Sequence, residues 1–235
     1  MRAIILAGGK GTRLRPYTIT LPKPLVPVGG EMPIIEVIIR QLAKAGFSRL
    51  TFAVNHKANL IRAFCGDGSQ WGVDIDYSLE ESPLSTIGPL TLIDDLPENF
   101  LVMNGDLLCD LDFRALLDRH IAQKNMVTVA TYKRSVNSDF GVLHIGADGG
   151  VAGFEEKPVF HFDVSMGVYC INRTVISALT RGAVYGFDNL MLDGIRDGMK
   201  IEAVPFSGYW LDIGRPEDYD LANSDFARLK EQWGL

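Results

Sequence analysis

Cysteine is scarce in this 235-residue chain, and the three present, Cys65, Cys109 and Cys170, are odd in number and widely separated. No Cys-x-x-Cys pair exists, which excludes a disulfide framework and a thiolate zinc site and leaves buried thiols of a reducing compartment. The four histidines, His56, His120, His144 and His161, have no metal-ligand spacing. No apolar run approaches the ~20 residues of a membrane helix. Arg2 is followed by only five apolar residues before Gly8, so a secretory core is missing too. A net charge of −6 and a pI near 5.2 argue against non-specific nucleic-acid binding. The expectation is a cytoplasmic chain with neither nucleic acid nor membrane as partner.

The most informative absence is local. The first 30 residues contain no Asp or Glu, yet they hold five cations: Arg2, Lys10, Arg13, Arg15 and Lys23. The rest of the chain carries all 29 acidic residues. Within that stretch the apolar run Ala3-Ile4-Ile5-Leu6 opens into Ala7-Gly8-Gly9-Lys10-Gly11-Thr12-Arg13-Leu14-Arg15-Pro16 and, later, Pro22-Lys23-Pro24. A short buried strand that ends in a cationic glycine loop suits a polyphosphate. Glycines let backbone N–H groups turn toward anionic oxygens, and Arg and Lys neutralise the remaining charge. The spacing is neither of the two commonest phosphate loops. Gly-x4-Gly-Lys-Ser/Thr is absent, and Leu14 stands where Gly-x-Gly-x-x-Gly needs its last glycine.

Strand-like runs recur at 2–7, 50–54, 73–78, 100–104, 126–132, 140–145, 166–171, 201–205 and 209–212. Helical periodicity fills 34–45, 58–64, 113–123, 188–197 and 216–230. This alternation predicts an α/β sheet covered on both faces, with an antiparallel portion within 126–171 where strands follow one another. No repeat or long linker divides the chain, so 1–235 reads as a single domain.

Two strand-like runs end in a carboxylate. Phe100–Met103 leads into Asn104-Gly105-Asp106, and Tyr209–Leu211 leads into Asp212-Ile213-Gly214. Ligands of open α/β sheets gather at the carboxyl ends of strands. Two converging carboxylates suit Mg²⁺, which takes a few protein oxygens and completes its shell with phosphate and water. Either aspartate alone would be ordinary turn chemistry. Asp94, Asp95, Asp110 and Asp112 read as helix-start or surface acids. Asp110-Leu111-Asp112 has the letters of a glycosyltransferase metal motif but leads into a helix.

The pattern Gly-Gly-x-Gly-Thr-Arg-Leu-x-Pro followed by Pro-Lys-Pro resembles the signature of the sugar-1-phosphate nucleotidyltransferases. Glu155-Glu156-Lys157-Pro158, Asp139-Phe140-Gly141-Val142 and Trp210-Leu211-Asp212-Ile213-Gly214 extend the resemblance along nearly the whole chain. It implies a Rossmann-like three-layer α/β/α sandwich with a mixed, mainly parallel sheet. It also implies Mg²⁺-dependent transfer of a nucleoside monophosphate from an NTP to a sugar 1-phosphate, with release of pyrophosphate. Arg13 and Lys23 would then stabilise the transferring phosphate. Leu6, Ala7, Gly8, Gly9, Gly11, Thr12, Glu80 and Gly88 would hold the nucleotide, and Asp106 and Asp212 the metal. Gly141, Glu156, Lys157 and Ser165 would take the sugar phosphate. Ser165-Met166-Gly167 and Ser85 and Ile87 depart from common family patterns, which leaves sugar and nucleotide open. Glu80, matched to the base edge, favours GTP, with uridylyl or thymidylyl transfer as the alternative and a non-catalytic nucleotide-sugar sensor as a more remote one.

Overall fold

The computed structural model describes residues 1–235. In chain order the elements are β1 (Arg2–Leu6), β2 (Pro27–Val28), β3 (Met32–Pro33), α1 (Ile34–Lys44), β4 (Arg49–Val54), α2 (Ala58–Cys65), β5 (Asp74–Leu79), β6 (Asn99–Asn104), β7 (Leu107–Cys109) and α3 (Phe113–Gln123). They continue with β8 (Val127–Asn137), β9 (Val142–Ile145), β10 (Val151–Glu155), β11 (Val159–Asn172), α4 (Arg173–Ser177), α5 (Phe187–Arg196), β12 (Ile201–Phe206), β13 (Trp210–Asp212) and α6 (Pro216–Trp233).

Seven strands form the central sheet in the order β12-β8-β11-β6-β1-β4-β5. Only β11 runs against the other six, pairing antiparallel with both β6 and β8. The sheet is therefore mixed and mainly parallel, and the antiparallel portion lies inside 126–171 as the run of strands there predicts. Alternation along each strand sends side chains to two cores. Ala3, Ile5, Leu101 and Met103 join one with α1, α2, α3 and α6; Ile4, Phe100 and Val102 join the other with α4 and α5. That is the three-layer sandwich.

The local causes are ordinary. Helix α1 buries Ile34, Ile35, Val37, Ile38, Ile39 and Leu42 and stops before Gly46, whose φ is +85°. Helix α3 starts where the Asp112 carboxylate accepts the Ala115 N–H at 2.9 Å. Helix α6 opens on Pro216, and Asp218 accepts the N–H groups of Gly214 (3.2 Å) and Arg215 (2.9 Å). No helix is long and apolar enough to cross a membrane.

Two features depart from the sequence pattern. The run at 140–145 belongs not to the main sheet but to a separate β9–β10 hairpin. Strands β8 and β11 also run on past the sheet as an exposed two-stranded ribbon, Lys133–Asn137 against Val159–Asp163. Arg2, grouped by sequence with the loop cations, is corrected too. It is 5% exposed and engages Thr51, Asp76 and the Asp95 carboxylate and carbonyl, so its charge is spent under the sheet.

The three thiols are buried, and burial pushes those of Cys65 and Cys109 up to about 12. His120 is fully buried on α3. Its Nε2–H points at Asn99 Oδ1 (3.1 Å), which is an acceptor, so Nδ1 takes the Thr128 hydroxyl at 2.9 Å. Burial lowers this imidazole from 6.5 to about 4. The unfolded chain therefore binds a proton that the folded chain refuses. The resulting loss of stability is absent above pH 6.5 and grows as pH falls toward about 4. Thermal melts between pH 7.5 and 4.5 should show a shallower acid limb for His120→Gln than for wild type, and equal limbs would refute this assignment.

Candidate active site

Strands β1 and β6 are parallel neighbours, with Leu6 paired to Asn104, so the loops that follow them start side by side. The chain leaves β1 toward β4 and β5 on one flank and returns to β6 on the other. This is the switch point where open α/β sheets form a ligand crevice. Gly105 seals the join: its N–H donates to the Leu6 carbonyl at 2.9 Å, and a Cβ there would stand 3.0 Å from that oxygen.

Two adjoining cavities open at this point. The first, about 340 Å³, is walled by the loop Leu6–Arg13, Lys23 and Asn104–Asp106. The second, about 240 Å³, runs from Gly8 and Gly9 past Asn55 and Glu80 to Ser85, Thr86 and Pro89. Leu6, Gly9 and Asn104 belong to both, so one elongated ligand can span them. Gly11 turns at φ +62°, and a Cβ on it would meet Thr18 Cγ2 at 3.0 Å and Lys23 Cβ at 3.2 Å. The Thr18 hydroxyl donates to the Gly11 carbonyl (2.7 Å), and Lys57 donates to the carbonyls of Thr18 and Ile19. The cationic loop is thus tied down at Gly11 and at Thr18–Ile19, while Arg13, exposed on its single 3-10 turn, Thr12–Leu14, stands at the cavity wall.

Asp106 and Asp212 meet because β7 and β13 pair antiparallel, with Leu107 opposite Asp212 and the Ile213 N–H on the Asp106 carbonyl at 3.1 Å. Lys23 is 8% exposed, and its ammonium sits 2.5 Å from Asp106 Oδ2 and 3.8 Å from Asp212 Oδ1. Asp106 Oδ1 is buried and has no hydrogen-bond partner. The Asp212 carboxyl is held above its ordinary range by partial desolvation and by the charge of Asp106, against the pull of Lys23 and Arg13. A buried acceptor without a donor, beside a carboxylate crowded by another, fits a divalent cation. The pair stands alone: no cluster of three or more His, Cys, Asp or Glu side chains that could hold a metal occurs in the chain, this site included, so phosphate and water would have to complete a cation's shell here.

Glu80 follows β5 into the second cavity. Its Oε2 accepts the Leu84 N–H at 3.1 Å, while Oε1 faces Gly8, where a Cβ would come within 2.7 Å. Burial pushes this carboxyl up, and the Leu84 N–H pulls it back. Gly8 must therefore lack a side chain for Glu80 to stand where it does.

The remaining expected residues are placed differently. Gly88 lines neither cavity: its N–H goes to the Tyr185 carbonyl (2.9 Å), and a Cβ would strike the Ala183 carbonyl at 2.5 Å. Gly141 and Glu156 do come together, with Glu156 Oε2 3.2 Å from the position of a Gly141 Cβ. They sit with Lys157 on the exposed hairpin and ribbon rather than against the phosphate cavity. Ser165 lies closer in. Its Oγ accepts the Gly167 N–H at 3.3 Å, and Gly167, at φ +75°, leaves no room for a Cβ beside Asn104 Nδ2 (2.5 Å). Asn104 and Asn55 were not singled out by sequence, although Asn-Gly-Asp carried the first. Trp210 borders the same face as Asp212, two residues away, and its Nε1–H donates to the Met166 carbonyl at 3.0 Å.

The model of the nucleotidyl transferase family matches residues 2–228. The chain is 34% identical over 230 residues to a mannose-1-phosphate guanyltransferase of Debaryomyces hansenii, covering 93% of this chain and 62% of that protein. A mannose-1-phosphate guanylyltransferase catalytic subunit beta of Drosophila pseudoobscura pseudoobscura is 32% identical, with 93% and 60% covered. The chain thus spans about 60% of the length of these curated relatives. Among solved structures, HddC from Yersinia pseudotuberculosis complexed with GMP-PN superposes with TM-score 0.72 at 26% identity, covering 96% and 99% of the two chains. A putative glucose-1-phosphate thymidylyltransferase from Bacillus anthracis gives 0.76 at 25%, covering 95% and 94%. With a cationic glycine loop and an aspartate pair meeting at the switch point of such a sheet, the chain belongs to the nucleotidyl transferase family.

Proposed function

We propose that residues 1–235 act as a single catalytic domain that transfers a nucleoside monophosphate, GMP by preference, from an NTP to a sugar 1-phosphate. The observation that carries this reading is the Lys23–Asp106–Asp212 cluster, whose Lys23 and Asp106 face the glycine loop across one cavity. An oxygen of the sugar phosphate forms the new bond to the α-phosphorus while the bond to the β-phosphate oxygen breaks, and pyrophosphate leaves. The attacking oxygen is already anionic, so the chain need supply no general base. Its work is placement and charge stabilisation.

The backbone of Gly8, Gly9, Gly11 and Thr12 cradles the triphosphate, flanked by Leu6 and Ala7. Arg13 and Lys23 meet the charge that develops on it. Asp106 and Asp212 would hold Mg²⁺, which when bound supplies Lewis-acid stabilisation of phosphate oxygens. Gly141, Glu156 and Lys157, on the exposed hairpin and ribbon, and Ser165, closer in, form the sugar side. The product is an NDP-sugar of the kind drawn on for cell-surface polysaccharide, made in the cytoplasm. A matrix of GTP, UTP, dTTP, ATP and CTP against a panel of sugar 1-phosphates, read as pyrophosphate formed, tests the reading. Binding without turnover for every pair would instead identify a sensor.

Nucleotide choice rests on Glu80. A carboxylate suits the adjacent N1–H and N2–H donors of guanine, whereas uracil and thymine put a carbonyl oxygen there. The guanyltransferase relatives and the GMP-PN complex of HddC support that preference. The Leu84 N–H sharpens the test. In Glu80→Gln the amide must turn its oxygen toward Leu84 and its NH₂ toward the base, so donor faces donor. GTP should give the highest kcat/KM in wild type, and Glu80→Gln should lose about 10²-fold with GTP while changing UTP far less. A tenfold or greater advantage of UTP or dTTP over GTP in wild type would favour the uridylyl or thymidylyl reading.

A further inference from the structure

Lys23 plays two incompatible parts in the site. Its ammonium lies between the two carboxylates, 2.5 Å from Asp106 Oδ2 and 3.8 Å from Asp212 Oδ1. It also lines the cavity faced by the glycine loop and Arg13, where phosphate oxygens would lie. A divalent cation that takes both carboxylates needs the space the ammonium fills, because two cations that close repel strongly at low dielectric. The side chain has little alternative. Its stem is packed beside Gly11, its head is buried, and Pro22 and Pro24 stiffen the backbone on either side. The direction left open is across the cavity, toward the loop that would carry the triphosphate.

We propose that Lys23 is a positioning residue for the metal as well as a phosphate ligand: it occupies the seat between Asp106 and Asp212 until a divalent cation displaces it, and the triphosphate gives it its second seat. Metal and nucleotide are then positively coupled through one side chain. The ammonium suppresses binding of metal alone and rewards metal arriving with nucleotide. The coupling is reciprocal, as any linkage must be. This rests on the proposed reading of the aspartate pair as the metal site, so the test separates the two.

Mn²⁺ binding to the chelator-stripped full chain, followed by the electron-paramagnetic-resonance signal of free Mn²⁺, needs no turnover. Lys23→Met keeps the stem and removes the competing charge, and it should bind Mn²⁺ at least ~5-fold more tightly than wild type, the low end of ordinary coupling. Arg13→Met removes a cation that acts on Asp212 only through space, so it should change affinity by much less. Equal tightening in both variants would show a bulk charge effect and overturn the proposal, as would unchanged or weaker binding in Lys23→Met. Asp106→Asn is the control for the site itself. If it binds Mn²⁺ as wild type does, the metal pair is misassigned and the proposal falls with it. Wild type gives a second readout should Lys23→Met not fold. The ¹⁵N-lysine spectrum should hold a slowly exchanging Lys23 ammonium signal that Mg²⁺ alone abolishes, and its persistence at saturating Mg²⁺ would also overturn the proposal.

Discussion

Arg13→Ala and Lys23→Ala should each remain folded and lose about 10²–10³ in kcat, the usual cost of removing one preorganised electrostatic donor. The two differ in how they reach that result. Arg13 is exposed in the middle of a 3-10 turn and its side chain makes no hydrogen bond within the chain, so its loss should leave the melting temperature unchanged. Lys23 is buried against Asp106, and its removal strands a carboxylate whose other oxygen is already without a donor. A modest fall in melting temperature should accompany the kinetic loss, because a buried charge without its partner is costly. Steady-state kinetics with the best NTP and sugar 1-phosphate, alongside thermal melts, check both. A folded variant of either residue with near-normal kcat would remove it from the reacting centre. Lys23→Arg should not rescue, since a planar fork cannot take the place of a compact ammonium between two carboxylates.

Much of this site was legible before folding, and the reason is range. The strand Ala3–Leu6, the glycine loop and the Asn104-Gly105-Asp106 turn are short-range patterns, and each lies at a strand end where the chain alone says it should. Sequence could count Asp212 as a second carboxylate at a strand end. The contact that makes the pair is a β7–β13 ladder joining segments about a hundred residues apart, and no local period encodes it. The same limit explains Arg2. Its charge counts with the loop cations in a window of 30 residues, yet its partners are Asp76 and Asp95. Gly88 shows a different limit: a glycine in a loop can serve approach of a ligand or close approach of the chain to itself, and only the fold shows that a Cβ here would meet the Ala183 carbonyl.

The ribbon and the β9–β10 hairpin show where periodicity itself fails. Phe140, Phe154, Phe160 and Phe162 are all more than 40% exposed, so an apolar residue there does not mark an inward face. The β9–β10 hairpin that presents Gly141 and Glu156 was visible only as one strand-like run. Glu80 could be matched to a base edge by resemblance, but the commitment of one of its oxygens to Leu84 is a fact of the folded loop. That contact changes the expected outcome of Glu80→Gln.

The largest effect belongs to the aspartates. Asp106→Asn and Asp212→Asn should each abolish most of the activity, at least about a hundredfold in kcat, and the double variant should lose little more than the worse single one. Groups that act as one unit are non-additive, because the first loss already removes the function they share. The geometry makes them one unit: a single ammonium reaches both, and the charge of Asp106 is among the forces that hold the Asp212 carboxyl up. Asparagine is the informative replacement at both positions. It keeps size and an acceptor oxygen for Lys23 while withdrawing the charge a divalent cation needs. EDTA should silence wild type and added Mg²⁺ should restore it, whereas neither treatment should move the residual rate of the double variant. Two single losses that multiply in the double variant would mean independent roles, one carboxylate for metal and one for something else. Undiminished turnover in excess chelator would end the two-aspartate account, while leaving the glycine loop and its cations as a nucleotide site in want of a different mechanism.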